Sequence, residues 1–360
     1  MNIKIHSAEL NRMMKTLGKC IDSKLQQYGN IQVIYDNNLL TLRGTNGQFS
    51  AVMSTPVMGG NGEAFCVDGE TFAKVCALGK GEMEIIAEGK ICTIKGAGRT
   101  RIPIVEANVP AFTGVDSGKE TVIKAEDFCK AFGGVEHAIC SDQSTTRVVL
   151  TGVNVEAGEY GMKMVALDGF MMAVETAQCS GDVFKMVVPG AFMRLIKDSV
   201  GPGEEIRIRS NGIRVQVSTE GMMLSCPLLV GEFPDYTRLL PKETKTECLV
   251  NADQLKAALK SNAVLNNSSK LVKLVLDGDI LTVSGNSERA DYEAEIPCQT
   301  QGDGLTIAFN QAYVAATVGS IGTEEAVLKF NTPGAPCVVQ GKDNELGKGI
   351  RLVLPVRVQG

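Results

Sequence analysis

The sequence predicts an α+β protein of three tandem domains of one kind, each built from two β-α-β-β-β half-units. Two observations lead to this prediction. Three stretches open with the same pattern, a short alternating strand followed by an amphipathic helix, and a second helix follows in each at an offset of about 120 residues. The length of 360 residues fits three domains of ordinary size.

The first helix of each domain is predicted from apolar residues on one face. Spacings of i, i+3 and i+4 bring such residues together on one side of a helix. The residues are Leu10, Met13, Met14 and Leu17, then Phe128, Ala131, Phe132 and Val135, then Leu255, Ala258 and Leu259. Ser7 and Asn251 are predicted N-caps, because short polar side chains accept hydrogen bonds from the first free backbone N–H groups.

A second helix in each domain repeats the arrangement. Its apolar positions are Phe72, Val75 and Cys76, then Phe192, Leu195 and Ile196, then Tyr313, Ala316 and Thr317. These helices are predicted to begin at Asp68, at Pro189-Gly190 and at Asn310. Six helices in matched order are difficult to obtain by chance, so we infer that one domain was duplicated.

Strand hairpins are predicted after each helix. Those after the first helices are Ile31–Tyr35 with Leu39–Arg43, Arg147–Leu150 with later strands, and Val272–Leu276 with Ile280–Ser284. Those after the second helices are Met83–Ala87 with Ile91–Lys95, Ile206–Arg209 with Ile213–Val217, and Ala326–Phe330 with Cys337–Gln340. Asn211-Gly212 predicts a type I′ turn. The predicted domains are 1–118, 119–243 and 244–360.

The composition indicates an ordinary globular protein of a reducing compartment. Hydrophobic residues make up 44% of the chain and charged residues 21%, and no apolar run approaches the length needed to cross a bilayer. The N-terminal sequence lacks the basic and apolar regions of a secretory signal. The eleven cysteines are scattered without a CxxC motif, which favours buried free thiols and a cytoplasmic location.

The sequence offers little for catalysis. It contains only two histidines, His6 and His137, so a histidine-rich metal site is excluded, and we expect no cofactor. His137 and Cys140 could share a helix face, which leaves a thiol-dependent hydrolase as an alternative although no third orienting group is visible. The stretch 114–120 resembles a phosphate-binding loop but has the wrong spacing, and a linker is the better interpretation.

Positive charge is concentrated in the predicted helices, although the whole chain has a net charge of −5. Acidic residues occupy the first helical turns, where the helix dipole favours them. If the helices share one surface, that surface is positive and can contact phosphates without reading base sequence. Ordinary solvation of exposed helices is the alternative. The candidate residues are Arg12, Lys15, Lys24, Lys74, Lys130, Arg194, Lys197, Lys256 and Lys260.

Local motifs add a resemblance to a known family. Residues 231–241 read GEFPDYTRLLP, residues 167–174 read LDGFMMAV, and residues 353–358 read VLPVRV. They resemble FPDYxRxLP, TDGHRLAV and VMPMRL, three motifs of the bacterial sliding clamp family, the beta subunit of DNA polymerase III. Residues 263–267 are similar to the AILSN segment of the same family. With the length, the triplication and the element order, the resemblance covers the whole chain.

The resemblance implies the clamp fold and its function. Members of this family close as head-to-tail homodimers, first domain against third, in a ring whose helices line a hole around double-stranded DNA. Such a ring tethers the replicative polymerase to DNA without sequence-specific binding and has no catalytic site. The basic residues named above would then face DNA. The implied partners are the DNA polymerase III catalytic subunit, the clamp loader and other proteins with clamp-binding motifs.

The resemblance also implies a pocket for partner peptides, which in the family lies between the second and third domains. The matching residues are Leu150, Leu167, Gly169, Phe170, Met172, Pro234, Arg238, Leu239, Leu354, Pro355, Val356 and Arg357. Leu, Met and Phe side chains suit an adaptable apolar cleft, and Arg238 could bind a peptide carboxylate or carbonyl. Ordinary core packing is the alternative interpretation of these residues.

The sequence departs from the family at several positions. Phe170-Met171 stands in place of a His-Arg pair and Leu167 in place of a Thr, so we expect a more apolar pocket with different peptide preferences. The residues matched to the dimer interface are Val109 in the first domain and Val264 and Leu265 in the third. A divergent paralogue that acts as a scaffold without forming a ring is retained as an alternative.

Overall fold

The computed structural model describes the chain except for residues 26, 60, 61, 97, 143, 266–269, 289, 343–348 and 358–360. The described part contains six α-helices within a strand-rich fold. Its elements follow the order β-α-β-β-β six times, with two additional short strands. The element order therefore confirms the α+β class and the six half-units predicted from the sequence.

The elements are as follows. The first two half-units contain β1 (Asn2–His6), α1 (Ser7–Leu17), β2 (Asn30–Asp36), β3 (Leu39–Thr45), β4 (Ser50–Pro56), the short β5 (Met58–Gly59), β6 (Glu63–Asp68), α2 (Gly69–Leu78), β7 (Glu82–Glu88), β8 (Ile91–Lys95) and β9 (Arg99–Pro103). The next two contain β10 (Lys119–Lys124), α3 (Ala125–Val135), β11 (Gly152–Gly158), β12 (Gly161–Leu167), β13 (Met171–Ala177), the short β14 (Cys179–Gly181), β15 (Phe184–Pro189), α4 (Gly190–Ser199), β16 (Glu205–Ser210), β17 (Arg214–Thr219) and β18 (Met222–Pro227). The last two contain β19 (Thr246–Asn251), α5 (Ala252–Leu265), β20 (Leu271–Asp277), β21 (Ile280–Asn286), β22 (Asp291–Gln301), β23 (Leu305–Asn310), α6 (Gln311–Gly319), β24 (Glu325–Phe330), β25 (Cys337–Gly341) and β26 (Ile350–Val353).

The chain forms two compact units. The first consists of Met1–Phe128, Ala157–Glu159 and Cys179–Leu228, and the second of Cys129–Glu156, Tyr160–Gln178 and Leu229–Gly360. Each unit combines parts of more than one predicted domain, and the three domain boundaries remain a prediction.

In the first unit, one sheet combines strands of the first predicted domain (β2, β3, β4 and β6) with strands of the second (β10, β14, β16, β17 and β18). Its order is β14-β10-β16-β17-β18-β4-β3-β2-β6, and a second sheet has the order β5-β1-β7-β8-β9. Strands β18 and β4 are antiparallel neighbours, with Met222 opposite Met53. Helix α1 packs against both α2 and α4, and Phe72 of α2 and Phe192 of α4 are fully buried. Burial of these large aromatic side chains stabilises the helical layer against the sheets.

In the second unit, the sheet order from β11 is β11-β12-β13-β26-β25-β24-β19-β22-β21-β20-β23. Strands β13 and β26 are antiparallel neighbours, with Met172 opposite Leu352. Helices α5 and α6 pack together around a buried hydrogen bond of 2.6 Å from Asn262 Nδ2 to Gln311 Oε1. Buried polar side chains of this kind are hydrogen-bonded in native proteins, and here each amide provides a partner for the other.

The predicted helix starts are mostly confirmed. Asn251 Oδ1 accepts a hydrogen bond from Gln254 N at 2.9 Å, as expected of an N-cap. Asp68 and Asn310 cap α2 and α6 in the same way. Ser7 is a wrong prediction, because it is already the first residue of α1 and is buried. The cap is His6, whose Nδ1 accepts from the backbone N–H of Ala8.

Two other local predictions are also wrong. The segment predicted as a strand at 147–150 is instead a 3₁₀ helix over Val148–Thr151. The prediction failed because a short apolar run does not by itself distinguish a strand from a helical turn. At Asn211-Gly212, Gly212 is the residue with positive φ, 85°, and Asn211 instead accepts backbone hydrogen bonds through Oδ1. Positive φ at two successive residues, the type I′ requirement, occurs at Asn37 and Asn38 between β2 and β3.

Candidate functional site

The C-terminal part of the predicted pocket is held by backbone hydrogen bonds in the second unit. The chain leaves β26 and passes beside the turn that precedes β13, where Leu354 N donates to Phe170 O at 2.9 Å. Two residues later, Val356 N donates to Ala308 O at 2.8 Å. Residues 354–356 are therefore fixed between this turn and strand β23, which brings together Phe170, Leu354, Pro355 and Val356 of the predicted set.

The turn before β13 presents an aromatic ring to solvent. Asp168 Oδ1 accepts hydrogen bonds from Phe170 N at 2.8 Å and Met171 N at 2.7 Å, and Gly169 supplies the required positive φ of 96°. The Phe170 residue is 53% exposed, and its ring stacks on Tyr313 of α6. Sequence reasoning identified Tyr313 only as a helix position and missed this contact, because it joins residues distant in the chain.

A second group of predicted residues lies around two 3₁₀ helices. A Cβ added to Gly231 would meet the Val149 side chain at 3.0 Å, which places this segment beside the 3₁₀ helix that contains Leu150. In the other 3₁₀ helix (Tyr236–Leu239), Arg238 Nε donates to Asp235 Oδ2 at 2.9 Å. The Arg238 side chain is 85% exposed, so a peptide carboxylate could replace this weak surface pairing.

Exposure divides the predicted pocket residues into two classes. Leu150, Leu167 and Met172 are buried in the core of the unit. Phe170, Leu239 and Val356 are exposed apolar side chains. Gly169, Arg238 and Arg357 are also exposed, while Pro234, Leu354 and Pro355 are half-buried. Only the exposed and half-buried residues are available to a ligand without unfolding.

The basic residues occupy the helices largely as predicted. Lys15, Lys24, Lys74, Lys130, Arg194 and Lys260 are exposed, and Arg12, Lys197 and Lys256 are half-buried. Lys24 lies in a turn before β2, outside any helix. In the first unit, α1 packs between α2 and α4, so the basic residues of three helices share one layer. Glu70 pairs with Lys74 at 2.6 Å, and the hydrogen bond from this ammonium lowers the pKa of Glu70.

The three residues matched to a dimer interface have different environments. Val264 and Leu265, at the end of α5, are 73% and 48% exposed and could be covered by another chain. Val109 is only 3% exposed, and its carbonyl accepts a hydrogen bond from Arg43 Nη2 at 3.4 Å. Its side chain therefore supports the first unit from inside. Asn266 and Asn267, from the AILSN-like segment, lie outside the described residues.

The Cys–His alternative has no supporting geometry. Neither ring nitrogen of His137 has a hydrogen-bond partner among the described residues. Burial, followed by the positive charge of Arg351, lowers the pKa of His137 to about 4. Cys140 Sγ is 4.0 Å from Asp142 O. All eleven cysteines are among the described residues and are free thiols. The described residues contain no cluster of His, Cys, Asp and Glu suited to a metal ion.

Comparison with known families gives two matches. Residues 123–235 match the central domain of the DNA polymerase III beta subunit, and residues 237–357 match its C-terminal domain. The beta sliding clamp of Vibrio cholerae is 22% identical over 359 residues, covering 97% of this chain and 96% of that protein. The beta sliding clamp of Streptomyces coelicolor is 24% identical and covers 82% of each.

Solved structures share the fold over the whole length. The DNA polymerase sliding clamp of Bacillus subtilis superposes with a TM-score of 0.91 at 20% identity, covering 100% of both chains. The Pseudomonas aeruginosa sliding clamp bound to griselimycin has a TM-score of 0.89 at 22% identity, covering 99% of this chain and 100% of that one. None of the described helices in this chain has the length and hydropathy to cross a membrane.

Proposed function

The chain belongs to the DNA polymerase III beta subunit family and is a sliding clamp, and from this premise we propose that two copies close head to tail as a ring around duplex DNA. Sliding clamps are processivity factors without catalytic activity. We further propose that this clamp acts in the cytoplasm and receives peptides of the polymerase, the clamp loader and other partners at the pocket around Phe170.

The pairing of strands within the chain supports the head-to-tail dimer. The last strand of one half-unit pairs with the last strand of another twice, as β4 with β18 and as β13 with β26. The two remaining last strands are β22 and β9. By the same rule, β22 of one copy would pair with β9 of a second copy. Repetition of this contact closes a two-fold assembly with both free edges covered.

Both strands have an edge available for this pairing. Strand β9 is the end of its sheet. In β22, residues 298–301 pair with β19 and residues 291–297 pair on their other side with β21, so no described strand covers the opposite edge of 291–297. An open edge of this length is a template for another strand.

The charges on the two edges are complementary. Arg99 and Arg101 are exposed on β9, two residues apart and therefore on one face. Glu293 and Glu295 are exposed on β22 with the same spacing. None of these four side chains has an ion pair within the described part of the chain. Opposite charges on neighbouring strands favour one register over others.

Charge reversal tests the dimer directly. We expect Arg99→Glu with Arg101→Glu to shift the protein toward monomer in analytical ultracentrifugation, and Glu293→Arg with Glu295→Arg to do the same. An equimolar mixture of the two variants should form dimers again, because each reversed edge meets its complement. Lys90→Glu with Glu106→Lys, an exposed pair elsewhere in the first unit, is the matched control. Native protein that stays monomeric at micromolar concentration and shows no central hole by electron microscopy would exclude the ring.

A further inference from the structure

A largely buried ion pair joins the two strands next to the proposed peptide pocket. Glu175 of β13 pairs with Arg351 of β26 through Nη2, and their side chains are 16% and 5% exposed. Glu175 is three residues beyond Met172, and Arg351 is three residues before Leu354. The pair therefore joins the two strands at a short distance from the turn and the segment that present the pocket residues.

Arg351 also connects these strands to helix α6. Its Nε donates to Ser320 Oγ at 3.1 Å and its Nη2 to Ser320 O at 3.2 Å. Its Nη1 donates to Gly349 O at 2.5 Å. Ser320 is the C-cap of α6, the helix whose Tyr313 stacks on Phe170. One guanidinium thus fixes the start of β26 relative to the helix that supports the exposed ring.

Helix α3 leaves space for this arrangement. A Cβ added to Gly134 would lie 2.5 Å from Glu175 Oε1 and 2.8 Å from Arg351 Nη2. Both contacts are with charged groups whose positions are set by the pair itself, so a larger residue at Gly134 would force them apart. The glycine, the carboxylate and the guanidinium come from three separate elements and form one packed cluster.

Burial of this pair is not explained by stability. Removing two charges from water is energetically unfavourable, and apolar residues of similar volume often stabilise a fold equally well or better. A buried pair does, however, fix relative position, because only one geometry satisfies all its donors.

Resting on the proposed peptide-binding function, we propose that Arg351 and Glu175 are positioning residues that hold residues 354–356 in the binding-competent position before a peptide arrives. A preorganised segment binds a ligand more tightly because less ordering accompanies binding. Removal of the pair should leave this segment free to separate from its two backbone acceptors, Phe170 O and Ala308 O.

The test separates positioning from stability by comparing a single with a double variant. Arg351→Met leaves Glu175 buried and unpaired, so a lower melting temperature is expected. Arg351→Met with Glu175→Met removes both charges, so the melting temperature should recover. Both variants lack the hydrogen bonds and the ion pair that Arg351 forms. We therefore expect about tenfold weaker binding of a fluorescent Leu- and Phe-containing pentapeptide in both.

Hydrogen exchange supplies the second measurement. The backbone amides of Leu354 and Val356 should lose protection in both variants, while amides of β24 remain protected in the double variant. Glu247→Met with Lys329→Met, which removes a partly exposed pair of the same unit, should change neither protection nor peptide affinity. This control monitors the effect of losing an ion pair elsewhere in the sheet.

A double variant that recovers peptide affinity and amide protection together with its melting temperature would overturn the positioning role. Unchanged peptide binding in Arg351→Met would do so as well. If the native protein does not bind the pentapeptide, the proposed pocket function fails, and protection of the Leu354 and Val356 amides still decides whether the pair positions the segment.

Discussion

The ring of Phe170 stacks on the ring of Tyr313, with centroids 5.2 Å apart and planes inclined by 21°. Phe170 comes from the turn before β13 and Tyr313 from α6, so the stack joins two elements separated by more than a hundred residues. It places an apolar aromatic surface where the motif of the family has a polar His. This surface is the most specific feature of the proposed peptide pocket.

Replacement of this ring should weaken peptide binding. Phe170→Ala removes the exposed aromatic face on which an apolar peptide side chain would pack, and large aromatic side chains dominate interface energetics, so we expect a several-fold rise in the Kd of the fluorescent pentapeptide. Phe170→Tyr should retain the affinity. Tyr160→Ala, at an aromatic residue of the same unit that is 94% exposed, is the control and should have no effect. Equal affinity of Phe170→Ala and native protein would place the peptide elsewhere.

The stability of the protein should fall in mild acid through His137. Because burial lowers its pKa to about 4 in the folded state, the unfolded chain binds the proton more readily. The stability that the neutral His137 side chain contributes is fully present above pH 6.5, which is near the pKa of histidine in the unfolded chain. It is lost as the pH falls towards 4, and the free energy of unfolding decreases by a total on the order of 3 kcal/mol. Urea titrations between pH 7.5 and 4.5 should show a smaller decrease for His137→Phe. A decrease of the same size in this variant would assign the effect to other groups.

Gly285 should tolerate no side chain. A Cβ there would lie 2.1 Å from Asn262 Oδ1, and displacement of this amide would break the buried hydrogen bond to Gln311. An unsatisfied buried polar group costs about 1–3 kcal/mol, so Gly285→Ala should lower the free energy of unfolding by about that amount. Gly334→Ala has open space around its Cβ and is the control. Chemical denaturation of both variants provides the comparison.

The basic helix layer should contribute to retention on DNA. Lys15→Glu and Arg194→Glu, on the packed helices α1 and α4, are expected to shorten the lifetime of loaded clamps on nicked circular DNA. If the replaced cation neutralises one phosphate, the plot of log K for DNA binding against log salt concentration should become less steep by about 0.9. Lys90→Glu, in a turn between strands, should behave like native protein. Lifetimes equal to native for the helix variants would contradict a DNA-facing role for this layer.

The sequence alone predicted the architecture because each local signal there is periodic and repeated. The polar caps at Asp68, Asn251 and Asn310 depend only on neighbours in the chain and were confirmed. The predicted apolar face of α6 was wrong in part, because its buried residues are Gln311, Val314, Thr317 and Val318, and Tyr313 and Ala316 are only half-buried. The failures were also local. His6 and not Ser7 is the cap of α1. Val148–Thr151 forms a 3₁₀ helix where a strand was predicted, since a short apolar segment without flanking periodicity fits more than one structure.

The tertiary structure decided which side chains are available for function. Met172 and Phe170 are two residues apart in one motif, yet the first is 1% and the second 53% exposed. Phe170 lies in the exposed turn before β13, whereas Met172 lies in β13, whose first four residues are all buried. The contacts of Tyr313, Glu175 and Arg351 join distant segments and leave no local signal. The sequence therefore determined the repeated fold and the family, whereas packing between remote strands and helices determined the surface a partner can bind.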